Sequence, residues 1–112
     1  MNDLYMRCGR VLRVVDGDTL DIEIDLGWSL KFTERVRLAE VDTPEARGPE
    51  RAEGMKATAF VQGWVDRNEG ECLIHSTEYA RGKYGRTIAV VYPRGGGVSL
   101  NDLLVKHGFA KT

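Results

Sequence analysis

From residue 20 to 26 the chain alternates without interruption: Leu20, Ile22, Ile24 and Leu26 are apolar, and Asp21, Glu23 and Asp25 are acidic. A period of two predicts a strand with its apolar set against a core and its acids in water. The preceding stretch, Arg10 to Val15, is rich in β-formers and ends at the turn-forming pair Asp16-Gly17. Gly27-Trp28 then predicts a hairpin into a third strand over Leu30 to Val41. On that strand Phe32, Val36 and Leu38 share one face, and Arg35 and Arg37 share the other. The two guanidiniums are thereby expected on one polar surface.

The period changes after Pro44. A Gly/Pro/Arg loop leads into a helix expected over about Ala52 to Asn68, with Met55, Ala59, Val61, Trp64 and Val65 as its apolar face. Gly54 and Gly63 weaken it. Glu71 to Tyr79 and Thr87 to Tyr92 read as two more strands, separated by the polar loop Ala80 to Arg86. Gly95-Gly96-Gly97 lacks a following lysine and reads as a turn, not a phosphate loop. Ser99 is placed to cap a last helix over Leu100 to His107, with Asp102 answering the cap. Five short strands and two helices in 112 residues fit one domain, 1–112, an α+β fold built on a closed or partly open β-barrel.

Charge changes this picture only locally. With 16 basic and 17 acidic residues the formal net charge is −1, so no global field attracts a polyanion. Attraction to nucleic acid would have to come from a patch such as Arg35, Arg37, Arg81, Lys83 and Arg86. No apolar run is long enough to span a bilayer. The opening residues lack the apolar stretch of a secretory signal, so an intracellular chain is expected unless a leader has been removed. Cys8 and Cys72 show no metal-ligand spacing and are expected as reduced thiols on strands. Trp28 and Trp64 are expected to pack, and His107 to answer a helix dipole.

The residues with chemistry lie at strand ends. From Asp16-Gly17-Asp18-Thr19 and the run from Arg37 to Glu45 come the three carboxylates Asp18, Asp42 and Glu45 and the guanidinium of Arg37, and Arg86 adds a distant second guanidinium. Carboxylate oxygens suit a hard divalent cation, and arginines fork onto phosphate. A protein that only bound nucleic acid would gain nothing from acids placed where a phosphate must sit. Taken singly, Asp16-Gly17 reads as a turn, Asp42-Thr43-Pro44-Glu45 as a helix start, and Arg86 as a loop charge.

Together, in this order, the motifs Val15-Asp16-Gly17-Asp18-Thr19, Arg37 with Val41-Asp42-Thr43-Pro44-Glu45, and Lys83-Tyr84-Gly85-Arg86 resemble the staphylococcal nuclease (thermonuclease) family. The ending from Leu103 to Lys111 is similar too, so the resemblance spans roughly residues 10 to 111. It implies a five-stranded OB-fold barrel with two helices, the family's third and C-terminal helix having no counterpart before Thr112. It implies one Ca²⁺ ion held by Asp18, Asp42 and the Thr43 carbonyl, with Asp16 behind them. Glu45 would act as general base, Arg37 and Arg86 would hold the phosphate oxygens, and Lys83 and Tyr84 would contact a bound nucleotide. The reaction implied is endonucleolytic hydrolysis of DNA, RNA or both, by water attack at phosphorus and cleavage of the 5′ P–O bond. A single-stranded substrate and a monomeric protein with no membrane association are the expectation. Two other readings compete: an OB-fold module that binds nucleic acid with weak or no catalysis, and a small interaction domain.

Overall fold

The computed structural model describes residues 6–45, 48–79 and 87–110. Its elements, in chain order, are β1 (Met6–Asp16), β2 (Thr19–Gly27), β3 (Leu30–Leu38), a single 3₁₀ turn (Gly48–Glu50), α1 (Arg51–Arg67), β4 (Glu71–Tyr79), β5 (Thr87–Pro93) and α2 (Leu100–Lys106). The strands close into a barrel in the order β1-β2-β3-β5-β4. All neighbours are antiparallel except β3 and β5, which run parallel. This is the OB-type arrangement of five strands with two helices expected above.

The alternation in β2 sets the core. Leu20, Ile22, Val36, Leu38, Ile74 and Val91 from four strands are fully or almost fully buried, and α2 adds Leu100 and Leu104. Closure of so short a barrel needs bends in its walls. Two register shifts in β1, between Val11 and Arg13 and between Val14 and Asp16, supply extra residues that coil the strand. One of these extra residues, Leu12, is thereby exposed.

The structure corrects several local expectations. β3 stops at Leu38, and a turn at Ala39-Glu40 with Glu40 at φ 56° replaces the strand predicted through Val41. Leu26 and Phe32 have core-facing parity but are exposed, as is the whole hairpin tip. β3 pairs with β5 only over Val36–Leu38, so the tip projects past the barrel and has no facing layer. Trp28, expected to pack, is 96% exposed on that tip. In α1, Met55 and Ala59 face solvent, and the buried face is Gly54, Ala57, Val61, Trp64 and Val65. The small side chain of Ala57 lets α1 lie close to the β1–β2 turn, where a Cβ on Gly17 would meet it at 2.9 Å.

α2 follows the sequence reading closely: the Ser99 hydroxyl accepts the Asp102 amide N–H at 3.0 Å. His107 caps its C-terminus, with its ring 5.3 Å from that of Phe60. The first and fourth strands are neighbours, but Cys8 is opposite Leu73, and Gly9 is opposite Cys72. Adjacent positions on a strand point to opposite faces. Cys8 is accordingly exposed and Cys72 buried, both as free thiols, and burial pushes the Cys72 thiol up to about 12.

Candidate active site

The β1–β2 turn is as tight as the ladder allows, since Asp16 pairs directly with Thr19. A Cβ on Gly17 would stand 2.9 Å from both the Ala57 Cβ and the Thr43 Oγ1. Glycine is required there because α1 and the loop after β3 press against the turn, a reason that its role as a turn residue did not reveal. This contact brings Asp18 to Thr43, 25 residues further along the chain.

Asp18 is buried and held on both carboxylate oxygens. Its Oδ1 accepts the Thr19 hydroxyl at 3.0 Å, and its Oδ2 accepts the Thr43 backbone N–H at 3.2 Å. The Asp18 carbonyl also accepts the Leu38 N–H at 2.9 Å, which ties the turn to the end of β3. Asp42, by contrast, is exposed. Arg37 lies between the two, its Nη2 3.7 Å from Asp18 Oδ2 and 3.7 Å from Asp42 Oδ1. Both separations exceed a direct hydrogen bond, so the three charges attract without locking together.

The chain segment that carries Asp42 is fixed from below. Buried Asn101 on α2 donates through Nδ2 to the Ala39 carbonyl at 3.0 Å and the Ala89 carbonyl at 3.3 Å. Its Oδ1 accepts the Val91 N–H at 3.0 Å. One amide thus joins α2, β5 and the turn leading to Asp42, a role no local pattern in the sequence indicated.

Asp16, Asp18, Arg37, Asp42, Thr43 and Glu45 line one cavity of about 300 Å³, and Arg35 lines it too. Two sequence segments about 20 residues apart are thus brought to one place. Lys83, Tyr84 and Arg86, the remaining predicted site residues, lie outside the described residues.

Oxygen is the only donor type that Asp18, Asp42 and Thr43 offer. Among the described residues no group of three or more His, Cys, Asp or Glu side chains gathers closely enough to hold a metal ion. Two carboxylates with backbone and water oxygens suit a large, flexibly coordinated cation such as Ca²⁺ and disfavour zinc or copper. Thr43 Oγ1, buried and without a hydrogen-bond partner among the described residues, is a further oxygen that water in such a shell could satisfy. The donor chemistry, oxygen throughout, suits the cation that the resemblance implies.

A family model described as "Staphylococcal nuclease homologue" matches residues 35–112. The chain belongs to the staphylococcal nuclease family. Among its relatives, a protein named micrococcal nuclease from Shigella flexneri is 35% identical over 109 residues, 91% of this chain and 56% of its own length. A protein named thermonuclease from Staphylococcus intermedius is 38% identical over 104 residues, 90% of this chain and 56% of its own. An uncharacterized endonuclease from Escherichia coli O157:H7 is 29% identical over 102 residues, 91% of this chain and 58% of its own. The chain spans about half the length of these nuclease-family relatives.

Proposed function

We propose that this protein is a Ca²⁺-dependent nuclease that hydrolyses phosphodiester bonds of DNA, RNA or both, acting on single strands as a monomer. The observation that carries the proposal is the shared cavity in which Arg37 faces Asp18 and Asp42, with Thr43 and Glu45 beside them. A site built only to hold a polyanion would not place two carboxylates 3.7 Å from its arginine.

In this reading Asp18, Asp42 and the Thr43 carbonyl would hold the cation. When bound, Ca²⁺ supplies Lewis-acid stabilisation of charge on the phosphate oxygens. Arg37 donates to a non-bridging oxygen of the scissile phosphate, most strongly as negative charge builds in the five-coordinate transition state. Its attraction to Asp18 and Asp42 keeps the guanidinium in the cavity before substrate arrives. Glu45, exposed at the rim, orients a water for attack on phosphorus and accepts its proton. The bond to the 5′ oxygen breaks as the new P–O bond forms, and the departing 5′ oxygen takes its proton from solvent water. Arg86 is assigned a second contact to the phosphate, and Lys83 and Tyr84 contacts to a neighbouring nucleotide group, on the resemblance alone.

The test is cleavage of end-labelled single-stranded DNA with Ca²⁺ or with chelator, using an Asp42→Ala preparation to control for contaminants. Calcium-dependent cutting that disappears in Asp42→Ala is expected. Binding without cutting would overturn the enzymatic reading in favour of a nucleic-acid-binding module. Cutting unaffected by chelator would overturn the cation assignment.

A further inference from the structure

One row beyond the catalytic residues, the outer face of the barrel carries a second arginine arrangement. In the first row Asp16 pairs with Thr19 and Thr19 with Arg37, across β1, β2 and β3. Leu20 and Val36, next along their strands, point into the core. The following outward row pairs Arg13 with Asp21 and Asp21 with Arg35. Arg35 is therefore two residues from Arg37 on the same face of β3, a separation of roughly 6.7 Å along the strand. That matches the step between successive phosphates in an extended nucleic-acid strand.

Arg35 is also held in one orientation. Its Nε donates to Asp21 Oδ1 at 2.9 Å and its Nη2 to Asp21 Oδ2 at 3.3 Å, a two-point fork. Such a fork uses two of the five guanidinium protons and leaves the Nη1 edge available. The side chain remains half exposed, and it lines the same cavity as Arg37, Asp42 and Glu45. An ion pair this open to water contributes little to stability, so structural support alone gives a weak account of it. Asp21 carries one charge against the two of Arg13 and Arg35, which leaves the row positive. Asp16 is the other carboxylate close enough to act on Arg35.

We propose that Arg35, oriented by Asp21 and supported by Arg13, forms a subsite for the backbone phosphate next to the scissile one. The substrate then runs from Arg37 along β3, and at least two consecutive phosphates are gripped at once. This rests on the nuclease reading of the adjacent cavity. It adds a preference for chains over isolated nucleotides, set by residues on the outer face of the hairpin.

The experiment measures binding of a fluorescent single-stranded oligonucleotide, with Ca²⁺ present, in a Glu45→Gln background that does not turn over. Adding Arg35→Ala is expected to weaken binding about tenfold and to flatten the slope of log Kobs against log salt by about 0.7, the loss of one phosphate contact. Arg35→Lys should restore the salt slope and only part of the affinity, because it keeps the charge without the fork. A methylphosphonate linkage next to the scissile phosphate removes that one charge. On one side of the scissile position it should weaken binding with Arg35 present and have little effect after Arg35→Ala.

Equal effects of the methylphosphonate in both backgrounds, on both sides, would overturn the subsite while leaving the nuclease reading intact. An unchanged salt slope in Arg35→Ala would do the same. An oligonucleotide neither bound nor cut by the wild-type protein would overturn the nuclease reading, and the subsite with it.

Discussion

The two ends of the β2–β3 hairpin are built from one ladder and serve opposite ends. At the base, Thr19 pairs with Arg37, and the charges are crowded and incompletely joined. Arg37 is held 3.7 Å from two carboxylates, close enough for attraction and too far for a direct hydrogen bond. Towards the tip the charges are matched pairwise. Arg35 meets Asp21 at 2.9 Å, Lys31 meets Asp25 at 3.4 Å, and Asp25 also accepts the Gly27 N–H at 2.8 Å. The backbone ladder fixes the register, and these water-exposed pairs add little to it. A group that is only partly satisfied retains capacity to bind something else: Arg37 at the base, and next to it Arg35, whose fork onto Asp21 leaves its Nη1 edge open. The tip itself bears exposed Leu26, Trp28 and Leu30, because no layer of the barrel extends far enough to cover them.

The comparison is broken most severely by removing the unsatisfied arginine. Arg37→Ala is expected to lower kcat about 10²–10³-fold, the size of losing one donor to a developing oxyanion. The fold should persist, as read by circular dichroism, and normal kcat in the variant would remove Arg37 from the mechanism. Asn101→Ala attacks the support of the base. It strips partners from buried Val91 N–H and from the Ala39 carbonyl, and should destabilise by about 3 kcal/mol in denaturant titration. A change below 1 kcal/mol would mean that the turn before Asp42 is held by other contacts.

At the tip, the two-residue loop is expected to tolerate improvement. Trp28 and Ser29 both have positive φ, 52° and 64°, a conformation that suits Asn-Gly far better than Trp-Ser. Replacing both by Asn-Gly should stabilise by about 1 kcal/mol, measured as a higher denaturation midpoint. A loss instead would show that exposed Trp28 makes contacts that matter.

The smallest effect concerns pH. The Arg35 hydrogen bond, opposed by slight burial and aided by the charges of Arg35 and Arg13, lowers the Asp21 carboxyl from its ordinary 3.8. A depressed folded-state pKa gives stability that is present above the unfolded value and lost as pH falls through the folded one. Asp21→Asn should remove that part of the acid-side decline below about pH 4, where the unfolded carboxyl titrates. Identical acid limbs in the two proteins would argue against the pair. Added salt should narrow the difference, since both partners are open to solvent.

Much of this was legible in the chain. Alternation in β2 gave its inward face and its acidic outward face, and Ser99 with Asp102 marked the start of α2. The parity of Arg35 and Arg37 placed both on the surface where they are found. The charged motifs at strand ends named the residues that now line the cavity. What failed were statements that depend on how far a layer reaches. Leu26 and Phe32 have the right parity for the core but lie beyond its edge, and Met55 is apolar on the solvent side of α1.

By itself, then, the sequence determined the elements, their inward faces and the chemistry available, because periodicity, turn residues and charge are local properties. Only the tertiary structure decided which groups meet. The bulges that close β1, the clearance that demands Gly17, and the three-way bond of Asn101 depend on segments far apart in the chain. So does the site. Asp18 and Thr43 touch because α1 and the turn after β3 leave no other room, and Arg35 lies beside Arg37 and locks onto Asp21 because the ladder fixes one register. Local patterns carry no record of such distances, which arise only when the core closes and each contact limits the next.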